Sequence, residues 1–228
     1  MTAVSGGWVP FGGSRGAHDL QAPHPSVWGR SLRASDGHTY QHCQRVAGYA
    51  VAIAVALDLE GPQLDAVRLG ASLHDIGKIR LPPAILHKRG RLSLAEYELV
   101  KRHPIWGLDV LAGTDLPLEV RSVIRWHHEK RDGSGYPDGL RGDDIPLHPM
   151  IIGIADVYDA LTTWRSYRPA LPQERALAEM RAHRSWWHPE VYLAFQRAIA
   201  QPATRGGCRG GSRNAAVADL VLSAAAAD

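Results

Sequence analysis

Residues 127–140 read HHEKRDGSGYPDGL. Two adjacent histidines, His127 and His128, close an apolar-periodic stretch that starts near residue 117 and reads as a helix. An Asp-Gly-Ser-Gly-Tyr-Pro-Asp-Gly segment follows at once. Glycine and proline at this density admit backbone conformations closed to helices and strands, so the segment is a shaped loop. Histidine is the commonest metal ligand, and a pair beside such a loop points to a metal or phosphate site. That reading requires further ligands from other parts of the chain.

The flanking sequence offers them on helices. Val46, Tyr49, Ala50, Ile53, Ala54 and Leu57 recur at three- and four-residue spacing, predicting a helix over about 35–59 with His38 and His42 on one face near its start. A second helix is expected over roughly 62–77, with Pro62 in its first turn, Gly77 as its terminator and LHDIGKI (73–79) at its end. Pro82-Pro83 breaks the pattern, and a short turn containing Lys88, Arg89 and Gly90 follows. Ser93 with Glu96 forms a capping box for a helix ending near His103-Pro104. Further helices are predicted over about 105–112, from 117 to the histidine pair, over 150–163, and over 172–199 with an interruption at His188-Pro189. In the 150–163 helix Ile151, Ile154, Val157, Tyr158 and Leu161 share the inner side with Asp156. No useful strand alternation occurs, so the expected class is all-α.

Composition sets the limits. In 228 residues, 45% apolar and 21% charged content is that of a soluble globular protein. The net charge of +3 suits an anionic substrate, but no basic stripe with interleaved aromatics suggests a nucleic-acid polymer. Cys43 and Cys208 are too few for a disulfide framework or a thiolate zinc site. No apolar run reaches the ~18 residues of a membrane span, and the N-terminus lacks the order of a signal peptide. A cytoplasmic protein with no membrane contact is expected. Residues 1–30 read as an irregular leader, or alternatively as a strand-like arm packing on a partner. Residues 31–200 read as one domain, and 201–228 as an Ala/Gly/Arg-rich tail in which 214–226 could form a short helix. Twelve histidines are the outlier.

His74-Asp75 is the second strong element. Alone, such a pair is ordinarily a hydrogen-bonded feature of a helix surface. Adjacent helical residues diverge by about 100°, so the two could instead serve neighbouring metals with the Asp75 carboxylate shared between them. Lys78 adds a cation one turn further on.

The order His42, His74-Asp75, Lys78, His103, His127-His128, Asp156 resembles that of the HD-domain metal-dependent phosphohydrolases, and 127–140 resembles the signature of their HD-GYP branch. LPPAIL (81–86), KRHPIWG (101–107), IADVYDALT (154–162) and RSYR (165–168) fall in the matching order, so the resemblance covers about 36–198. It implies an HD-domain helical bundle with HD-GYP extension helices, forming a catalytic domain over 31–200. It implies a centre of two divalent ions, iron or manganese, and a phosphodiesterase that hydrolyses cyclic di-GMP to linear pGpG and on to GMP through a metal-bridging hydroxide. In that scheme His42, His74, Asp75 and Asp156 hold one metal, and Asp75 bridges to a second that His103, His127 and His128 complete. Lys78 would hold a phosphate oxygen. Arg165 and Arg168 would bind the second phosphate or the nucleotide, whereas sequence alone reads them equally well as surface charge.

Within the loop motif, Gly133, Gly135 and Gly139 are expected to supply turn geometry, Pro137 stiffness and Tyr136 a packing surface. Glu129 and Asp132 read as helix-end and turn caps, and Asp159 as a carboxylate that orients a ligand histidine. The remaining histidines, His18, His24, His87, His148, His183 and His188, read as surface or packing residues. Three departures stand out. His38 occupies the place of a glutamate in members with three metals, which puts that third site in question. Met150 and Ser166 replace a common arginine and proline. Two other readings remain: an HD-type hydrolase for another cyclic dinucleotide or a nucleotide, and a catalytically weak cyclic di-GMP-binding interaction module. A homodimer or a signalling-protein partner would supply regulation.

Overall fold

The longest periodic stretch forms the longest helix. It is α2 (Gly37–Ala56), preceded by α1 (Pro25–Ser35). Asp36 caps α2, its carboxylate accepting from the backbone N–H groups of His38 and Thr39. Those are among the first-turn donors that have no partner within a helix. A computed structural model describes residues 25–164 and 169–200. Around α2 stand α3 (Gly61–Leu73), α8 (Leu147–Thr162) and α10 (Pro189–Ala200), each packed directly on it. The remaining helices are α4 (Pro83–Leu86), α5 (Leu94–Val100), α6 (His103–Val110), α7 (Leu118–Trp126) and α9 (Gln173–Ala182). The described residues contain no strand, and the all-α expectation holds.

One core cluster joins Val46, Ile53, Val67, Val123, Ile151, Ile154, Tyr158, Met180 and Phe195. A second joins Leu32, Cys43, Leu73, Ile76, Leu111, Val120 and Ile124. Burying each large aliphatic side chain contributes about 1.5–3 kcal/mol, so α2, α3, α7 and α8 form a stiff frame. Among the described residues no helix is long and apolar enough to cross a membrane.

Several boundaries correct the expectations. The irregular leader was expected to run to residue 30, but α1 begins at Pro25. Leu32 is buried in the second cluster and Trp28, four residues earlier, packs against it, which docks this helix on α2 and α3. Residues 1–24 and the tail, with its suggested 214–226 helix, lie outside the described residues. Arg165, Ser166, Tyr167 and Arg168 lie outside them as well.

The second helix ends at Leu73 rather than 77, and a 3-10 turn (Ile76–Arg80) follows His74-Asp75. Gly77 is therefore not a helix terminator, and it has no left-handed backbone. A Cβ there would overlap the His103 carbonyl and lie 2.5 Å from the Gly107 nitrogen, so glycine lets the turn lie against α6. α6 begins at His103 and α8 at Leu147, earlier than expected, with Pro104 and Pro149 inside their first turns. Proline is tolerated there because first-turn N–H groups lack helical partners. The Ser93–Glu96 capping box is present as predicted.

Candidate metal centre

Five segments of the frame deliver side chains to one point. His42 comes from α2, His74 and Asp75 from the turn after α3, His103 from the first residue of α6, His127 and His128 from the end of α7, and Asp156 from α8. Asp75 is 1% exposed, and His74 and His103 are fully buried. Two tight groups share the aspartate: His42, His74 and Asp75 in one, and Asp75, His103, His127 and His128 in the other, with the donor atoms of each within 4.8 Å of one another. Asp156 stands between the groups and in neither: its Oδ1 lies 3.0 Å from His42 Nε2 and its Oδ2 3.8 Å from His128 Nδ1.

Hydrogen bonds on the far ring nitrogens fix the tautomers. Nδ1 of His74, His103 and His127 donates to the carbonyls of Ala71, Val100 and Val123 at 2.7, 2.8 and 2.9 Å. Their Nε2 atoms therefore carry lone pairs in the neutral ring. Nε2 of His103 and His127 face each other at 3.3 Å, two acceptors with nothing to share. His74 Nε2 is buried without a hydrogen-bond partner, and Asp75 Oδ1, 3.2 Å from His103 Nε2, also accepts none. Converging lone pairs and orphaned buried acceptors are the environment a cation satisfies, and the donors are all nitrogen and oxygen. The residues fit divalent metal.

Electrostatics agree. Burial pushes His74 down and His127 far down, the neighbouring histidines adding to the effect at His127. Burial lowers His128 to about 3. These rings are neutral, ready donors. Burial alone would raise Asp75 and Asp156, yet Lys78 holds Asp75, and His42 holds Asp156, well below the usual carboxylate range. His42 is the exception. Burial would lower it, but hydrogen bonds to Asp156 and Asp159 outweigh burial and raise it to about 9.

Asp159 takes the orienting place expected of it: its Oδ2 lies 2.7 Å from His42 Nδ1. Arg45, which the sequence reading did not single out, donates to both Asp159 oxygens at 2.7 and 3.0 Å. Its only sequence signal is its place one turn after His42. Lys78 Nζ donates to Asp75 Oδ2 at 2.6 Å and lines a cleft of about 700 Å³ that reaches His42. His38 is exposed on the wall of that cleft. Met150 packs on the main core. His148 is buried near the Gln63 carbonyl, and His87 is exposed on the cleft wall.

The 127–140 loop is anchored by Glu129. Its carboxylate accepts from the backbone N–H of Asp138, Gly139 and Leu140 at 2.7, 3.1 and 3.0 Å, so it ties down the far end of the loop rather than capping the helix end as expected. Gly133 and Gly139 have left-handed backbones, whereas Gly135 serves a close approach: a Cβ there would lie 2.5 Å from the His128 carbonyl oxygen. That approach lets Tyr136, joined to Pro137 by a cis peptide bond, stack on His128 at 4.7 Å between centroids. Asp132 caps its own turn, accepting from Ser134 N and Oγ at 3.0 and 2.6 Å.

The HD domain family pattern matches residues 28–191. The chain is similar to the cyclic di-GMP phosphodiesterase response regulator RpfG of Xanthomonas campestris, at 40% identity over 175 residues, 75% of this chain and 46% of that protein. It is also similar to the 3'3'-cGAMP-specific phosphodiesterase 2 of Vibrio cholerae, at 37% identity, covering 68% of this chain and 30% of that one. The chain thus spans less than half the length of either relative. The solved structure of Bd1817, a HDG"Y"P protein from Bdellovibrio bacteriovorus, shares the fold with a TM-score of 0.60 at 21% identity, over 78% of this chain and 62% of that one. With its His-Asp turn on that fold, the chain belongs to the HD domain family.

Proposed function

We propose that this chain is a metal-dependent phosphodiesterase that hydrolyses cyclic di-GMP to linear pGpG and, in a second cut, GMP. The observation that carries the reading is Asp75, whose carboxylate belongs to both donor groups. His42, His74, Asp75 and Asp156 would hold one divalent ion, and His103, His127 and His128 a second, with Asp75 shared. Imidazole and carboxylate donors suit iron or manganese. His38 offers a single imidazole for any third ion. Such ions, when bound, supply Lewis-acid charge stabilisation at phosphorus and lower the pKa of water.

The protein's own contribution is placement. Backbone tethers on Nδ1 keep three imidazole lone pairs aimed at Asp75 without reorganisation. Lys78, on the cleft wall beside Asp75, offers a cation to a phosphate oxygen. Tyr136 holds the His128 ring by stacking, and Glu129 holds Tyr136 through the loop backbone. A role for Arg165 and Arg168 in binding the nucleotide rests on the family resemblance. The same reading expects a cytoplasmic protein acting as a homodimer or with a signalling-protein partner.

Metal analysis of anaerobically purified protein, with cyclic di-GMP turnover followed by nucleotide separation, tests the proposal. Two metals per chain and release of pGpG, both lost in Asp75→Ala, are expected. Absence of bound metal after iron and manganese loading rejects it, and binding of cyclic di-GMP without cleavage assigns the chain to an interaction module. The similarity to a 3'3'-cGAMP-specific enzyme favours a second reading in which another cyclic dinucleotide is the substrate. Competition between the two dinucleotides decides between them.

A further inference from the structure

The cleft is larger than its metal end requires. Its volume of about 700 Å³ lies within the range of about 300–1,000 Å³ typical of small-molecule sites. His42 and Lys78 mark the inner end, beside the donor groups. The outer wall comes from the segment between α4 and α5, together with Tyr97 of α5 and Trp164 just beyond α8. Charge on this wall is one-sided. Asp36 is the acidic residue of the lining, and its carboxylate is occupied in capping α2. Lys88 gives its ammonium to both Glu96 oxygens at 2.8 and 2.6 Å, and Lys78 gives its own to Asp75. Arg89 and Arg91 are exposed and make no ion pair or hydrogen bond with the described residues. Tyr97 is 46% exposed and Trp164 64% exposed on the same cleft. Large aromatics held open to solvent beside unpaired guanidinium groups suit a ligand with flat rings and anionic phosphate.

We propose that Arg89, Arg91, Tyr97 and Trp164 form a second subsite, which takes the distal phosphodiester and one nucleobase of a cyclic dinucleotide. The proposal rests on the reading of the inner end as the place where the first phosphodiester is cut. A cyclic dinucleotide carries two phosphodiesters on opposite sides of its ring and two bases. With one phosphate at the metal end, the other phosphate and a base remain to be received further out. A mononucleotide leaves the outer wall unfilled. The subsite therefore selects for the dinucleotide over single nucleotides, and its residues act on binding rather than on bond cleavage.

The test titrates the full chain, loaded with Mn(II), with the bis-phosphorothioate analogue of cyclic di-GMP and separately with GMP. Two surface variants are compared, Arg89→Ala/Arg91→Ala and Trp164→Ala, with Trp164→Phe as the conservative control. Hydrolysis of bis(p-nitrophenyl) phosphate, a diester with no second phosphate, reports the metal centre alone. Loss of two exposed arginine–phosphate contacts should weaken the analogue about tenfold and flatten the salt dependence of its binding. Trp164→Ala should weaken it roughly fivefold, with Phe restoring most of the loss. GMP affinity and p-nitrophenyl diester turnover should stay within about twofold of the unmodified chain, since neither uses the outer wall. Unchanged analogue affinity in both variants, or a wild-type chain that binds the analogue no tighter than GMP, overturns the subsite. A chain that binds the analogue through these residues yet fails to cleave the p-nitrophenyl diester keeps the subsite and overturns the catalytic reading.

Discussion

His74, His103 and His127 differ from His42 and His128 in what holds them. The first three are tied by Nδ1 to carbonyls three or four residues back in their own chain segments. His42 is tied instead to Asp159, 117 residues away in sequence, and Asp159 is held in turn by Arg45. His128 leans on Tyr136, whose loop depends on the Glu129 carboxylate. The centre thus has a half set by local backbone and a half set by distant side chains. Backbone tethers survive substitution of their neighbours, because every residue carries a carbonyl. Side-chain tethers do not, so single substitutions should loosen the second half selectively.

The largest effect belongs to the residue common to both halves. Asp75→Ala should take the metal content from two ions per chain to none and lower turnover by about three orders of magnitude. Metal analysis that still finds one ion would mean that Asp75 is not shared. Next comes Asp159→Ala, which frees the His42 ring and leaves Arg45 without its carboxylate. Loss of an orienting partner of this type typically costs about 10–100-fold in metal affinity. The loss should fall on the His42 ion alone, leaving about one tight ion per chain. Equal weakening of both ions in a Mn(II) titration would break the comparison. Glu129→Gln should do less: the Asp138 and Gly139 N–H groups keep an amide oxygen as acceptor, while the Leu140 N–H meets the amide NH2 and loses its own. A stability decrease of about 1–3 kcal/mol in urea unfolding is expected, with metal affinity at the His128 side down only a few-fold. An unchanged unfolding midpoint would show that the loop holds Tyr136 without Glu129.

The same division governs what the sequence discloses. Helices and local ligands are legible because a 3.6-residue period and short motifs such as LHDIGKI are local signals. The capping role of Asp132 follows from turn chemistry, and its hydrogen bonds agree, whereas the Glu129 carboxylate reaches N–H groups nine or more residues on rather than a helix end. Arg45 escaped notice because its partner lies 114 residues away. Gly77 was misread because glycine after a helix suggests a terminator, whereas here the approach of α6 requires it. The start of α1 was missed for a similar reason: Leu32 is apolar in any reading, and only contact with α2 and α3 makes it core. The cleft was invisible, since its wall joins the 81–92 segment to Trp164 across the fold.

The smallest effect tests whether a backbone tether is as local as it looks. Helix α5 starts at the Ser93–Glu96 box and ends at Val100, whose carbonyl accepts from His103 Nδ1. Ser93→Ala removes the cap that satisfies the Glu96 N–H and should cost about 0.5–1 kcal/mol, as for an exposed N-cap. Fraying begins at the uncapped end, while the Lys101 N–H still bonds to the Tyr97 carbonyl at the other. Val100 should therefore stay in place, and the Mn(II) affinity of the His103 side should remain within twofold even as the unfolding midpoint drops. If affinity falls together with stability, the tether depends on the whole of α5, and the local half of the centre is one turn less local than its hydrogen bonds suggest.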